Sequence, residues 1–197
     1  MTRHKRYDSM LVMASNSHLH RTWLRAGALR LTRIHLLVFL VYAIMVGVFD
    51  SSHLMTPDII TQRAILVAIA GVITCGVWYA AHKEQTEPEY YKRLIYGMVL
   101  LDVAFAAFSL YTDRGVASRD VALFALPILS AATLVNRSAI YGAAVLSTVG
   151  YFIASMRYYY MHPNEMLHVE LYGMLAFHSI VFFVVAAMVW VVARARK

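Results

Sequence analysis

Cysteine is almost absent. The 197-residue chain has one, Cys75, which excludes an intramolecular disulfide. The four prolines and nine glycines do not gather into a linker, so no composition break divides the chain into domains. No segment of 20–50 residues repeats, and no inverted three-plus-three pattern of the transporter kind is visible. The phosphate loop, the Gly-x-Ser-x-Gly turn, the zinc-protease helix and the kinase loop are missing. The chain is therefore not expected to be an enzyme by itself. Cys75, set in an apolar run, is expected to be inert. No secretory leader is expected either: about thirty mostly polar and basic residues precede the first apolar run, and no Ala-x-Ala site follows it.

Charge is scarce where it would be costly, and apolar residues dominate. They make up 60% of the chain, with a mean hydropathy of +0.59, which soluble domains rarely reach. The expectation is an all-α polytopic membrane bundle, with the lipid bilayer as its first partner. Six apolar segments can be drawn, at 34–49, 64–81, 94–111, 121–135, 139–156 and 171–193. Five have the length to cross; the fourth is short and contains Pro127. Residues 1–33 would be a basic cytoplasmic segment, and 34–197 the six-helix domain. Within the former, 19–33 mixes Trp23, Leu24, Leu29 and Leu31 with Arg21, Arg25, Arg30 and Arg33. It is either a helix lying on the inner surface or a disordered topogenic tail.

The net charge of +7 reads as topology rather than nucleic-acid binding. Fourteen Lys and Arg residues fall in the N-terminal tail, the second and fourth connections and the C-terminus. Only Arg63, Arg114, Arg119 and Arg157 fall in the alternate connections. Both termini are thus expected in the cytoplasm. Tyr158, Tyr159 and Tyr160 would mark the outer boundary, with Trp78 and Tyr79 on the inner side. The connections leave no room for a folded outer domain.

Asp102 is the exception inside the apolar runs. A carboxylate at that depth costs several kcal/mol unless protonated, paired or wet. It is either a proton, cation or switch site, or the acceptor of a helix–helix hydrogen bond worth roughly 1 kcal/mol. His178 is its expected partner, because both lie about nine or ten residues into their segments. Such a pair would be sensitive to pH. His53, His162 and His168, with Asp50, Asp58, Glu165 and Glu170 nearby, are weak candidates for a metal or for sensing outer pH. The alternative is that they are solvated loop residues. His35 and His82 fall at inner ends of segments, where a pair could ligate haem or simply sit among headgroups. No Cys-x-x-Cys-His supports haem, and no cofactor is expected. Ser138, Gly142, Ala143, Ser147, Gly150 and Ala154 form a small-residue stripe that permits close helix approach, within the bundle or between copies.

A longer pattern runs through 90–197. Leu100-Leu-Asp102-Val is followed by Leu123-Phe-Ala-Leu-Pro127-Ile-Leu-Ser-Ala-Ala132, the turn Asn136-Arg137-Ser138, a small-residue-rich segment, and a last one from His178-Ser179 to Val191-Val-Ala-Arg-Ala-Arg196-Lys197. This pattern resembles the six-span membrane input domain of bacterial sensor histidine kinases. Similar anchors precede some class III adenylate cyclases. The resemblance implies a homodimer in the cytoplasmic membrane whose last helix leads to a cytoplasmic effector. No phosphoacceptor, ATP-binding or cyclase segment occurs in this sequence. The resulting expectation is a sensory module with Asp102 as polar switch, Pro127 as flexible point and His178 as partner. The alternatives are a small transporter or channel using the buried carboxylate, and a scaffolding protein.

Overall fold

In a hydrocarbon environment every backbone N–H and C=O must find a partner within the chain, and a helix does this locally. The computed structural model describes residues 3–51, 56–112, 118–162 and 168–195, and among these it contains helices and no strand. They are α1 (Arg3–Ser51), α2 (Pro57–His82), α3 (Pro88–Tyr111), a 3₁₀ helix (Arg119–Ala125), α4 (Leu126–Ala132), α5 (Arg137–Met161) and α6 (His168–Arg194). α2 and α3 open on proline, whose fixed φ and missing N–H suit a first turn. α5 opens on Asn136, whose side chain accepts from the Ser138 N–H at 2.9 Å. The turn before it holds Val135 at φ 46°, a costly conformation for a β-branched residue, which marks how tight this connection is.

Five helical stretches are long and apolar enough to cross a bilayer: Arg21–Val48, Pro57–His82, Pro88–Tyr111, Arg137–Met161 and Leu171–Arg194. On α2 and α6, large apolar side chains such as Val72, Ile180, Met188 and Val191 face outward. Outward apolar faces on helices of this length suit lipid. The protein is a multi-pass membrane protein.

Residues 19–33 are helical and pack one side against the bundle. α1 runs through Arg33 unbroken, and Leu24, Ala28 and Leu31 are buried against Ala81, Tyr91, Ile95 and Met98. Arg25 explains part of this. Its guanidinium donates to the last carbonyls of α2, Ala81 O at 3.3 Å and His82 O at 2.7 Å, and pairs with Glu84 at 2.8 Å. These are groups that a helix end leaves without partners. Tyr91 completes the hairpin, donating to Lys83 O and accepting from the Gln85 N–H.

Contacts give the helix directions. His35 meets Asp102 and Tyr42 meets Ser109, so α1 and α3 run parallel. Val103 lies under Gly150, and Arg157 sits over the Tyr111 ring, so α3 and α5 also run parallel. The 3₁₀–α4 segment runs antiparallel to α3, with Asp120 at Ser109 and Ser130 at Asp102. α3 is the shared helix. Ile95, Met98 and Phe105 pack towards α1 and α2, while Val99, Ala106 and Leu110 pack towards α4, α5 and α6.

Gly150 allows the closest approach. A Cβ there would stand 2.8 Å from Val103 Cγ1 and 3.2 Å from Phe124 Cε1. Ala143, Ser147 and Ala154 are buried on the same helix, whereas Ser138 and Gly142 are exposed. Much of the small-residue stripe thus serves packing within the bundle.

Candidate functional site

On α1 Leu24, Ala28, Leu31, His35, Phe39, Tyr42 and Val46 are buried, with Thr32 beside them, a stripe at helical spacing. His35 brings an imidazole into an otherwise largely apolar row. Its Nδ1 stands 2.8 Å from Leu31 O. A carbonyl only accepts, so Nδ1 carries the hydrogen. The ring's other nitrogen, Nε2, is thereby aimed at Asp102 Oδ1, 2.7 Å away, while Ser130 donates from α4 to Asp102 Oδ2 at 2.6 Å. The three side chains come from α1, α3 and α4, and all are buried.

This arrangement sets the proton count. With Nδ1 committed to Leu31, the short Nε2–Oδ1 contact needs one proton between the two atoms. An imidazolium facing a carboxylate and a neutral imidazole facing a carboxylic acid both satisfy it, and both are neutral overall. Removing that proton would set a lone pair against an anionic oxygen. Electroneutrality is what makes the pair tolerable at this depth. The trio is not a hydrolase triad, because the carboxylate lies between serine and histidine, and Ser130 Oγ is 3.4 Å from His35 Nε2.

A second polar cluster lies seven residues further along both α1 and α3. Asp120 Oδ2 accepts from Ser109 at 2.6 Å and from Tyr42 at 3.3 Å, and the Tyr42 and Ser109 hydroxyls meet as well. Arg63 Nη2 lies 3.2 Å from the same oxygen, with its side chain 3% exposed. Arg63, counted in sequence among the charges of the alternate connections, thus forms a largely buried ion pair with Asp120. Between the clusters the rings of Phe39 and Phe105 meet in a tilted contact with centroids 4.9 Å apart, separating one from the other with apolar rings.

His178 does not meet Asp102. Its Nδ1 lies 3.0 Å from both Tyr151 Oη and Met174 O, and α6 packs on α5, α4 and the 3₁₀ helix. Pro127 is buried in the first turn of α4. It has no N–H to offer the Phe124 carbonyl three residues back, and Ser147 Oγ of α5 donates there instead at 2.9 Å. His35 and His82 are not level: Arg25, ten residues before His35, contacts the His82 carbonyl, and His82 Nδ1 is spent on Trp78 O. The two do not form a haem pair. His162 closes α5 on Tyr158 O. His53 lies outside the described residues, as does the side chain of His168. Among the described residues no three His, Cys, Asp or Glu groups gather to hold a metal.

His35 and Ser130 are the members that sequence reasoning missed. The available signal was the stripe itself, together with the matched seven-residue spacings from His35 to Tyr42 and from Asp102 to Ser109. The chain matches no protein-family model, no curated protein and no solved structure.

Proposed function

We propose that this chain is the membrane-embedded input module of a signal-transduction receptor of the histidine-kinase type. The observation that carries the reading is the neutral, buried His35–Asp102–Ser130 trio shared by three helices. It acts as a latch. While one proton is shared and Ser130 donates, α1, α3 and α4 are held together. A change of proton count, or a ligand or lipid force that parts the helices, favours a second packing. α6 then carries the change to a cytoplasmic effector, and the receptor works as a homodimer in the cytoplasmic membrane.

The reading includes six crossings with both termini inside. Two points support the sixth. α3 and α5 run parallel, so the chain must return between them. Seven 3₁₀ residues at ~2.0 Å and seven α residues at ~1.5 Å reach about 25 Å, close to a hydrocarbon thickness. The distribution of Lys and Arg supports the orientation.

The test is a fusion of α6 to a histidine-kinase effector. Asp102→Asn and Ser130→Ala are expected to change basal output several-fold at equal membrane insertion. Output identical to the parent in Asp102→Asn and in Asp102→Ala would overturn the switch role.

A second reading, a small proton-coupled transporter or channel, is favoured by the Arg63–Asp120 pair and by the helix break at Pro127. Broken helices and intramembrane charges mark transport paths. Flux in proteoliposomes that vanishes in Asp102→Asn would select it.

A further inference from the structure

Asp120 and Ser130 are near opposite ends of one segment, and both are pinned. At the outer pin, Asp120 holds Ser109 of α3, Tyr42 of α1 and Arg63 of α2. At the inner pin, Ser130 donates to Asp102 of α3. Most of the distance between the pins is a seven-residue 3₁₀ helix, Arg119–Ala125. Such helices seldom exceed three or four residues, because their hydrogen bonds are poorer than those of an α-helix. The same residues wound as α-helix would be shorter, so the longer form suits a segment held at both ends. Pro127 marks the change of winding, and Ser147 satisfies the Phe124 carbonyl that the proline cannot serve.

We propose that residues 119–132 are a two-length connector. It stays extended while Ser130 is bound to Asp102, and it shortens by rewinding to α-helix once that bond is lost. Each residue that converts draws the ends together by ~0.5 Å and turns α4 by ~20°, up to about 3.5 Å for all seven. Phe124, at the centre of the segment, is in ring contact with Tyr151 of α5 and Phe182 of α6, so the movement reaches both following helices. The inference rests on the latch reading of the trio and states how its release is transmitted.

The experiment measures a distance in the full chain in lipid nanodiscs. Cys75→Ser supplies the background, and spin labels are placed at Leu129→Cys on α4 and Ile65→Cys on α2, both exposed. Ser130→Ala is expected to move the principal distance by about 2–4 Å, the span of partial to full rewinding. Ser130→Thr, which keeps the hydroxyl, is expected to leave it in place. Should Ser130→Ala fail to insert, Asp102→Ala removes the acceptor of the same bond and is read the same way. A folded Ser130→Ala or Asp102→Ala protein with the parent's distance distribution overturns the connector. The effector fusion separates the two ideas. A shifted distance with unchanged output removes the signalling reading and keeps the connector, and changed output without a shift does the reverse.

Discussion

At the residue scale, four histidines share one habit: His35, His82, His162 and His178 each direct Nδ1 at the carbonyl four residues earlier. What distinguishes His35 is the atom waiting at Nε2. The value of that contact is measurable by a double-mutant cycle. Asp102→Ala removes one partner of a buried pair and is expected to destabilise the bundle by roughly 3 kcal/mol. His35→Ala with Asp102→Ala should cost less than the two single changes summed, by at least about 1 kcal/mol. Unfolding in mixed micelles reads both. Strict additivity would mean the pair is not coupled. Gly150 offers an independent check on the packing around Phe124. Gly150→Ala places a Cβ against Val103 and Phe124 and is expected to cost about 1–3 kcal/mol as overpacking. Val103→Ala in the same chain should restore part of the loss, whereas an unchanged melting temperature in Gly150→Ala would refute the close approach.

At the scale of elements, the informative object is the 3₁₀–α4 segment. Ser147→Ala leaves the Phe124 carbonyl buried without its donor and is expected to cost about 1–2 kcal/mol. Faster amide exchange in 119–132 than in α3 would locate that loss. The sequence made the helices legible because apolar runs of spanning length have few other solutions in lipid. It also made depth legible. Counting residues placed Asp102 and His178 at comparable levels, and they are: His178 meets Tyr151, one residue from Gly150, which lies against Val103. What counting along a helix does not supply is azimuth, the side of each helix that faces a given neighbour. α6 packs on the side of the bundle away from His35, so the residue at the right depth was the wrong partner. His35 was passed over because Arg30 and Arg33 make its surroundings read as a boundary, although α1 continues through them into the bundle. Arg63 was misplaced for a related reason: a charge at the end of an apolar run looks like a loop residue until packing encloses it.

At the scale of the whole molecule, the alternating directions of the helices make a prediction about sides. With Cys75→Ser as background, single cysteines at Glu84 and Asn136 are expected to react with an impermeant thiol reagent only from the cytoplasmic side, and one at His162 only from the opposite side. Labelling of Glu84 and Asn136 from opposite sides would remove the sixth crossing. The latch has one more consequence at this scale, and it concerns the membrane potential. A charge that crosses the whole bilayer exchanges about 2.3 kcal/mol per 100 mV. The proton shared by His35 and Asp102 travels under ~1 Å of a hydrocarbon layer about 30 Å thick, so its transfer couples to the field by less than ~0.1 kcal/mol per 100 mV. Voltage therefore leaves the proton's position within the latch essentially unmoved. In the proposed latch, opening then falls to a change of proton count or to a force that parts the helices.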